Sequence, residues 1–276
     1  MPPDPAQLKE KSRQIWNSFA PLYDRYITPT TAQAAQRVVD LASINPGHHV
    51  LDIATGTGVA AFAAAEKVGE KGRVVGIDLS EGILGIAQER ASAKKLKHVE
   101  LRPMDAEQLQ FGDKTFDVAT CCLGLMLFPQ PHIALTEMKR VLKSEGSVSL
   151  GVWGSAERMV MGKVMFILRK YLPDDIPASP PQFAFSAPGA IELALQQAGF
   201  VKPQAERYFY QMHWVNLDIA WKLISEGGPV GVLVQKLPPE RQDSVKKEVF
   251  AMLKEFESAQ GLQVPFEMVF SRAVSQ

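Results

Sequence analysis

Three aspartates fall at or just past the ends of successive strand-like runs. Asp52 closes the run beginning at His49, Asp78 closes the run from Arg73, and Asp105 follows the run 98–102. After the first run comes Ala54-Thr55-Gly56-Thr57-Gly58. Glycines at 56 and 58 let the backbone turn tightly and approach a ligand, with a helix amino terminus behind them. Asp78 lies twenty residues past Gly58, where a carboxylate can accept hydrogen bonds from ribose hydroxyls. Any one of these aspartates could simply cap a helix or close a turn. Three in succession, beside a glycine loop, point to a crevice for a nucleoside.

The nature of that nucleoside follows from charge. Gly56-x-Gly58-x-x-Ala61 also satisfies a dinucleotide fingerprint with alanine in the last place. A pyrophosphate, however, would be opposed by Asp52, and no Lys or Arg lies between Asp52 and Glu66 to compensate. A ligand with a cationic group and no phosphate suits the loop better. Asp105 offers a further acceptor for an exocyclic amine such as that of adenine. A cation, a ribose and an adenine together describe S-adenosylmethionine.

These residues need a sheet to position them. The order is strand, helix, strand, helix: strands at 49–53, 73–78, 98–102, 115–121 and 147–153, with helices at 60–68, from Ser80 to 93, and 133–142. This alternation predicts right-handed crossovers and an α/β fold, a doubly wound, seven-stranded, mostly parallel sheet. Residues 1–45 read as a helical amino-terminal cap, in which Thr28-Pro29 opens a second helix. Residues 46–154 read as the cofactor-binding core, and 155–276 as the rest of the sheet with substrate-lid insertions. The last segment holds a helix at 156–171, a loop dense in proline (Pro173, Pro177, Pro180, Pro181, Pro188), a helix at 190–198, a strand at 207–214, helices over 217–260 and a strand at 264–270.

Composition narrows the function classes. The chain has 276 residues, 46% of them hydrophobic, enough for a sizeable core. Thirty basic residues balance thirty acidic ones, which argues against a protein that grips nucleic acid. Cys121 and Cys122 are adjacent, a spacing that suits neither a disulfide framework nor a zinc site. The start, Met1-Pro2-Pro3-Asp4-Pro5, shows no secretion signal, and the longest uncharged stretch, 118–136, is interrupted by Pro129, Gln130 and Pro131. The expectation is a cytoplasmic protein without stable membrane association.

Five pieces of the chain, in order, resemble the class I S-adenosylmethionine-dependent methyltransferases, especially the small-molecule group similar to the ubiquinone/menaquinone-biosynthesis enzymes. They are Val50-Leu51-Asp52-Ile53-Ala54-Thr55-Gly56-Thr57-Gly58, Val74-Val75-Gly76-Ile77-Asp78-Leu79-Ser80, Met104-Asp105-Ala106-Glu107-x-Leu109, Phe116-Asp117-Val118, and Glu137-Met138-x-Arg140-Val141-Leu142-Lys143-x-x-Gly146. The resemblance implies that Asp52 and the backbone of Ala54, Thr55, Gly56 and Gly58 face the methionine part of the cofactor. It implies Asp78 on the ribose, Leu79 and Ile83 against the adenine, and Asp105 and the Ala106 N–H on its polar edge. Cys121 would lie beside the methionine amine, and Tyr23 would cap the cofactor. Ala54 departs from the glycine many members carry; its methyl is expected to fit.

The resemblance implies methyl transfer to oxygen, nitrogen or carbon of a small, partly apolar metabolite, driven mainly by alignment and exclusion of water. Cys122-Leu123-Gly124-Leu125 is not the Asn/Asp-Pro-Pro-aromatic signature of enzymes that methylate base amino groups. Val152-Trp153-Gly154 offers no ligand for magnesium, so no metal is expected. His213, near the end of the sixth strand, is the candidate general base, should the nucleophile arrive protonated. Met126, Leu127 and Phe128 read either as pocket lining or as core, and Trp16 and Phe19 as core. Two other readings remain open: a nicotinamide-dependent oxidoreductase on the same sheet, and a non-catalytic cofactor-binding module. Oligomeric state is not legible.

Overall fold

A computed structural model describes residues 4–173 and 181–276, so Pro177 and Pro180 of the proline-dense loop lie outside the described residues. The chain opens with α1 (Pro5–Leu22), a π-helical turn over Tyr23–Ile27, and α2 (Thr28–Leu41). The π turn follows Pro21, whose missing N–H interrupts the hydrogen-bond ladder of α1. Thr28 does not cap α2 as its sequence position suggests, because the chain is already helical there. Its hydroxyl instead sits 2.9 Å from that of Thr57, tying α2 to the glycine loop.

The expected alternation is present: β1 (His49–Ile53), α3 (Val59–Val68), β2 (Arg73–Asp78), α4 (Glu81–Ala93), β3 (Val99–Pro103), β4 (Phe116–Cys122), α5 (Pro131–Val141) and β5 (Leu142–Trp153). Ser80 caps α4, its hydroxyl accepting from the Ile83 N–H at 3.2 Å. Next come α6 (Val160–Arg169), α7 (Ala190–Gln197), β6 (Val201–Trp214), α8 (Leu217–Glu226), α9 (Gly228–Gln235), α10 (Pro239–Leu253), β7 (Glu257–Ser258) and β8 (Gly261–Val274).

The sheet runs β3-β2-β1-β4-β5-β8-β6, with β1 to β5 parallel and β8 antiparallel between β5 and β6. Among the described residues it has eight strands rather than seven; the extra one, β7, is a two-residue partner of β8. Both β5 and β6 start earlier than their apolar alternation suggests. Pairing of Leu142 with Phe116, and of Val201 with Val274, extends them through polar residues. Val50, Leu51 and Ile53 of β1 have no exposed surface, which is why the strand reads as a continuous apolar run.

Two cores cover the two faces of the parallel half. One joins β1, β2 and β4 to α2 and α3 through residues such as Val39, Ala61 and Ala64. The other packs Leu135 and Met138 of α5 and Leu195 of α7 against Leu51, Ile77 and Leu150. Of the residues expected as a cap, α2 thus lies in the helix layer, its Val38 carbonyl accepting from the Ser149 hydroxyl at 2.8 Å. A third core, formed by α6, α8, α9 and α10 with β6 and β8, builds the side of the molecule beyond β5. Strand order reverses between β1 and β4, so the crevice outside their carboxyl ends is where this topology places a ligand. No helix among the described residues is long and apolar enough to cross a membrane.

Candidate functional site

A cavity of about 800 Å³, open mouth included, occupies that crevice. Its walls come from the loop after β1 (Ala54, Gly56), the end of β2 (Asp78, Leu79), α4 (Ile83), the loop after β3 (Asp105, Ala106) and the end of β4, with α1 as its roof. Eight of the residues expected to bind cofactor therefore converge on it: Tyr23, Ala54, Gly56, Asp78, Leu79, Ile83, Asp105 and Ala106.

Asp78 is held rigidly. Its Oδ2 accepts from the Gly56 N–H and its Oδ1 from the Ser80 N–H, both at 2.9 Å. These bonds join the glycine loop to the start of α4 through one carboxylate. Burial nonetheless pushes its pKa up, the backbone donors opposing that shift. Asp52 is buried behind the loop. It accepts from Thr55 Oγ1 at 2.6 Å and Thr120 Oγ1 at 2.7 Å. Burial raises its pKa to about 6 despite those hydroxyls. Asp52 and Thr55 thus stand under the cavity floor and set the loop's shape rather than lining it. Gly58 caps α3 at φ +85°, where an added Cβ would meet the Phe62 ring; it too shapes the turn from beneath.

Ala54 sits at φ +53°, in the region that favours glycine. Its methyl fits, but only because position 124 has no side chain: a Cβ there would lie 2.5 Å from that of Ala54 and 2.9 Å from Cys121 Sγ. The left-handed conformation costs alanine about 1 kcal/mol relative to glycine. Ala54→Gly is expected to raise unfolding stability by about that amount, read from denaturant midpoints at constant m-value. Equal or lower stability would show that the methyl's packing outweighs the strain.

Asp105 is already engaged. Its Oδ2 accepts from Lys9 Nζ at 2.7 Å and its Oδ1 from the Glu107 N–H at 2.8 Å. Lys9 also pairs with Glu107 Oε2 at 2.6 Å, pinning α1 over the cavity. Among the described residues, the cavity's acidic and basic lining is then one lysine, itself paired, against three carboxylic residues (Asp78, Asp105, Glu107). That is a poor seat for phosphates and a good one for a cation.

Two expected positions need correction. Cys121 does not line the cavity; Cys122 does. Successive side chains of a strand face opposite sides, and Cys121 points into the core with Leu51 and Leu150, where burial pushes its thiol up to about 12. His213 likewise faces away. It is exposed, its Nδ1 3.2 Å from Gln263 Nε2, whereas its neighbours Met212 and Trp214 point inward. Tyr208 is half exposed, and Tyr210 packs edge-on against Phe270 with ring centres 6.1 Å apart. No group of three or more His, Cys, Asp or Glu among the described residues is placed to hold a metal ion.

A second cavity, about 830 Å³ with its mouth, adjoins the first above the ends of β4, β5 and β6. The two share Trp16, Tyr23, Leu123 and Leu127 as a common wall. Trp16 and Tyr23 meet edge-on, centres 5.6 Å apart. Burial pushes the Tyr23 hydroxyl up to about 12, so it stays protonated near neutrality. Met126, Leu127 and Phe128 all line cavities, Phe128 in the first and Met126 in the second. Of the roof residues, Lys9 and Ser12 carry no local signal in the sequence and Trp16 reads as core; of the amino-terminal cap, the resemblance named Tyr23 alone.

Comparison with known proteins agrees with this geometry. A methyltransferase-domain family matches residues 44–158. The chain is 31% identical to nocamycin O-methyltransferase of Saccharothrix syringae over 237 residues, which is 76% of this chain and 84% of that enzyme. It is 35% identical to demethylmenaquinone methyltransferase of Alkalihalophilus pseudofirmus over 145 residues, 50% of this chain and 61% of that one. Its fold resembles that of a Haemonchus contortus phosphoethanolamine N-methyltransferase solved with S-adenosylhomocysteine, with a TM-score of 0.56, 19% identity, and coverage of 88% of this chain and 52% of that one. The acid-lined crevice, the sheet order and these similarities have one reading: the chain belongs to the class I S-adenosylmethionine-dependent methyltransferases, in the group that includes quinone-biosynthesis enzymes.

Proposed function

We propose that the protein methylates oxygen, nitrogen or carbon of a small, partly apolar metabolite held in the second cavity. The observation that carries this reading is the shared wall: an acid-lined cavity and an uncharged one meet at Trp16, Tyr23, Leu123 and Leu127. Bound S-adenosylmethionine supplies a methyl carbon activated by its sulfonium. Asp78 holds the ribose hydroxyls, Leu79 and Ile83 sandwich the adenine, and Asp105 takes the adenine amine in competition with Lys9. The Ala106 N–H donates to the ring. The backbone of Ala54 and Gly56 approaches the methionine part, with Cys122 beside it.

The chain's own work in this scheme is alignment and drying. Aromatic and aliphatic side chains exclude water from the junction, and reacting atoms confined to adjoining cavities need no diffusional encounter. Among the described residues no histidine, carboxylate or lysine lines the second cavity, so this lining offers the nucleophile no strong proton acceptor. The acceptor's proton leaves to solvent or is absent from the start. Metabolite extracts incubated with isotopically labelled S-adenosylmethionine and read by mass spectrometry are expected to yield a labelled small apolar product. Tight S-adenosylhomocysteine binding with no labelled product from any extract would instead support a non-catalytic cofactor-binding role.

A further inference from the structure

The roof of the first cavity is tied to the walls it covers at two places. Lys9 reaches the loop after β3, and Asn17, about 12 Å further along α1, reaches the loop after β2. Asn17 Oδ1 accepts from the Ser80 hydroxyl at 2.7 Å and from the Gly82 N–H at 2.9 Å. A backbone N–H only donates, so the atom facing Gly82 is the amide oxygen, and the Ser80 proton points to it as well. Ser80 is buried and engaged on every side. Its hydroxyl gives its proton to Asn17 and accepts from the Ile83 N–H, while its own N–H holds Asp78 Oδ1. One side chain on α1 thus grips the short segment that carries Asp78, Leu79 and Ile83, all of which line the cavity. The two backbones also meet closely there. A Cβ added at Gly82 would lie 3.1 Å from Asn17 Cα and 3.2 Å from its carbonyl oxygen. Gly82 is inside α4 and has no positive φ, so its conformation does not call for glycine; the missing side chain is what admits α1.

We infer that Asn17 is a positioning residue for the cofactor: it joins the roof to the first turn of α4 and so sets the shape of the crevice without touching the ligand. This rests on the proposal that Asp78, Leu79 and Ile83 hold the adenosine. Asn17 itself lines neither cavity, so its effect passes through its neighbours. On one side it fixes Ser80, and through it Asp78. On the other it fixes α1, and with it the next residue, Trp16, which belongs to the wall common to both cavities. Without the amide oxygen, the Gly82 N–H and the Ser80 proton lose their partner, and Lys9 alone ties α1 to the crevice loops at its other end.

S-adenosylhomocysteine is titrated into the full-length protein and its Asn17→Ala, Asn17→Asp, Gly82→Val and Asp78→Ala variants, with an unfolding midpoint measured for each. Asn17→Ala is expected to raise the Kd about threefold to tenfold, as for one or two lost hydrogen bonds. Asn17→Asp keeps an accepting oxygen and puts a negative charge at the amino terminus of α4, so it should bind within about twofold of wild type. Gly82→Val attacks the same contact from the other side. Valine favours a helix more than glycine does, so α4 keeps its fold while the new side chain holds α1 off. That variant should lose affinity as Asn17→Ala does, and the double variant should lose little more than either alone. A purely structural tie would lower the midpoint of Asn17→Ala and leave its Kd unchanged, and that result overturns the inference. So does Asn17→Asp binding as weakly as Asn17→Ala, or Gly82→Val binding like wild type. Asp78→Ala keeps the two readings apart. If it weakens binding while Asn17→Ala does not, only the role of Asn17 falls; if neither weakens it, the placing of the adenosine falls too.

Discussion

Asp78→Ala is expected to weaken S-adenosylhomocysteine binding by about 1–3 kcal/mol, roughly fivefold to 150-fold in Kd, through loss of charge-assisted hydrogen bonds to the ribose. The structure adds a second route to the same loss. Asp78 also takes the Gly56 and Ser80 N–H groups, so its removal frees the glycine loop from the start of α4. The expectation is therefore toward the upper end of the range. Asp78→Asn retains one carbonyl oxygen to accept and should fall between alanine and wild type. Isothermal titration on all three proteins reads the effect, and an alanine variant that binds as tightly as wild type would place the ribose elsewhere.

A second large effect is expected in stability against pH. Asp52 has its pKa raised by burial to about 6, against an ordinary carboxylate value near 4 when unfolded. Between those values the folded chain holds a proton that the unfolded chain has released. Stability from this group is therefore fully present below about pH 4 and is lost as pH rises through 6, by about 3 kcal/mol in all. Asp52→Asn should remove that slope, so that the variant's unfolding free energy changes less than wild type's between pH 4 and 7. A slope of the same size in both proteins would mean that Asp52 is ionised throughout. The same buried carboxylate makes a physical link to the ligand: a cation above the loop favours the charged form, so affinity for a sulfonium nucleoside should rise across this range.

The fold was legible wherever one local rule sufficed. Strands β1, β2 and β4 are short, mostly apolar runs with buried interiors, and Ser80 announces α4 as its cap. The strand-end rule likewise brought out Asp78, Gly56 and Asp105, because in a doubly wound sheet all carboxyl ends face one crevice. What failed is what depends on a single residue of register. Cys121 and Cys122, like His213 and Trp214, differ by one position, and a strand sends such neighbours to opposite faces. In each pair the residue named from the sequence points away from the cavities, and its neighbour lines one. A helical cap with Tyr23 was expected, but its polar contact was hidden for another reason: Lys9 reaches Asp105 across 96 positions of chain, a contact set by tertiary packing of α1 and by no local pattern. Polar stretches that open β5 and β6 were missed because pairing partners, not alternation, make them strands.

The central claim is that the crevice beyond β1 and β4 holds a sulfonium nucleoside and refuses a pyrophosphate. Isothermal titration of S-adenosylhomocysteine, NADH and NADPH into one preparation addresses it most directly. One S-adenosylhomocysteine per chain and no measurable heat from either dinucleotide is the predicted result. Tight binding of a dinucleotide, with S-adenosylhomocysteine giving none, would contradict it.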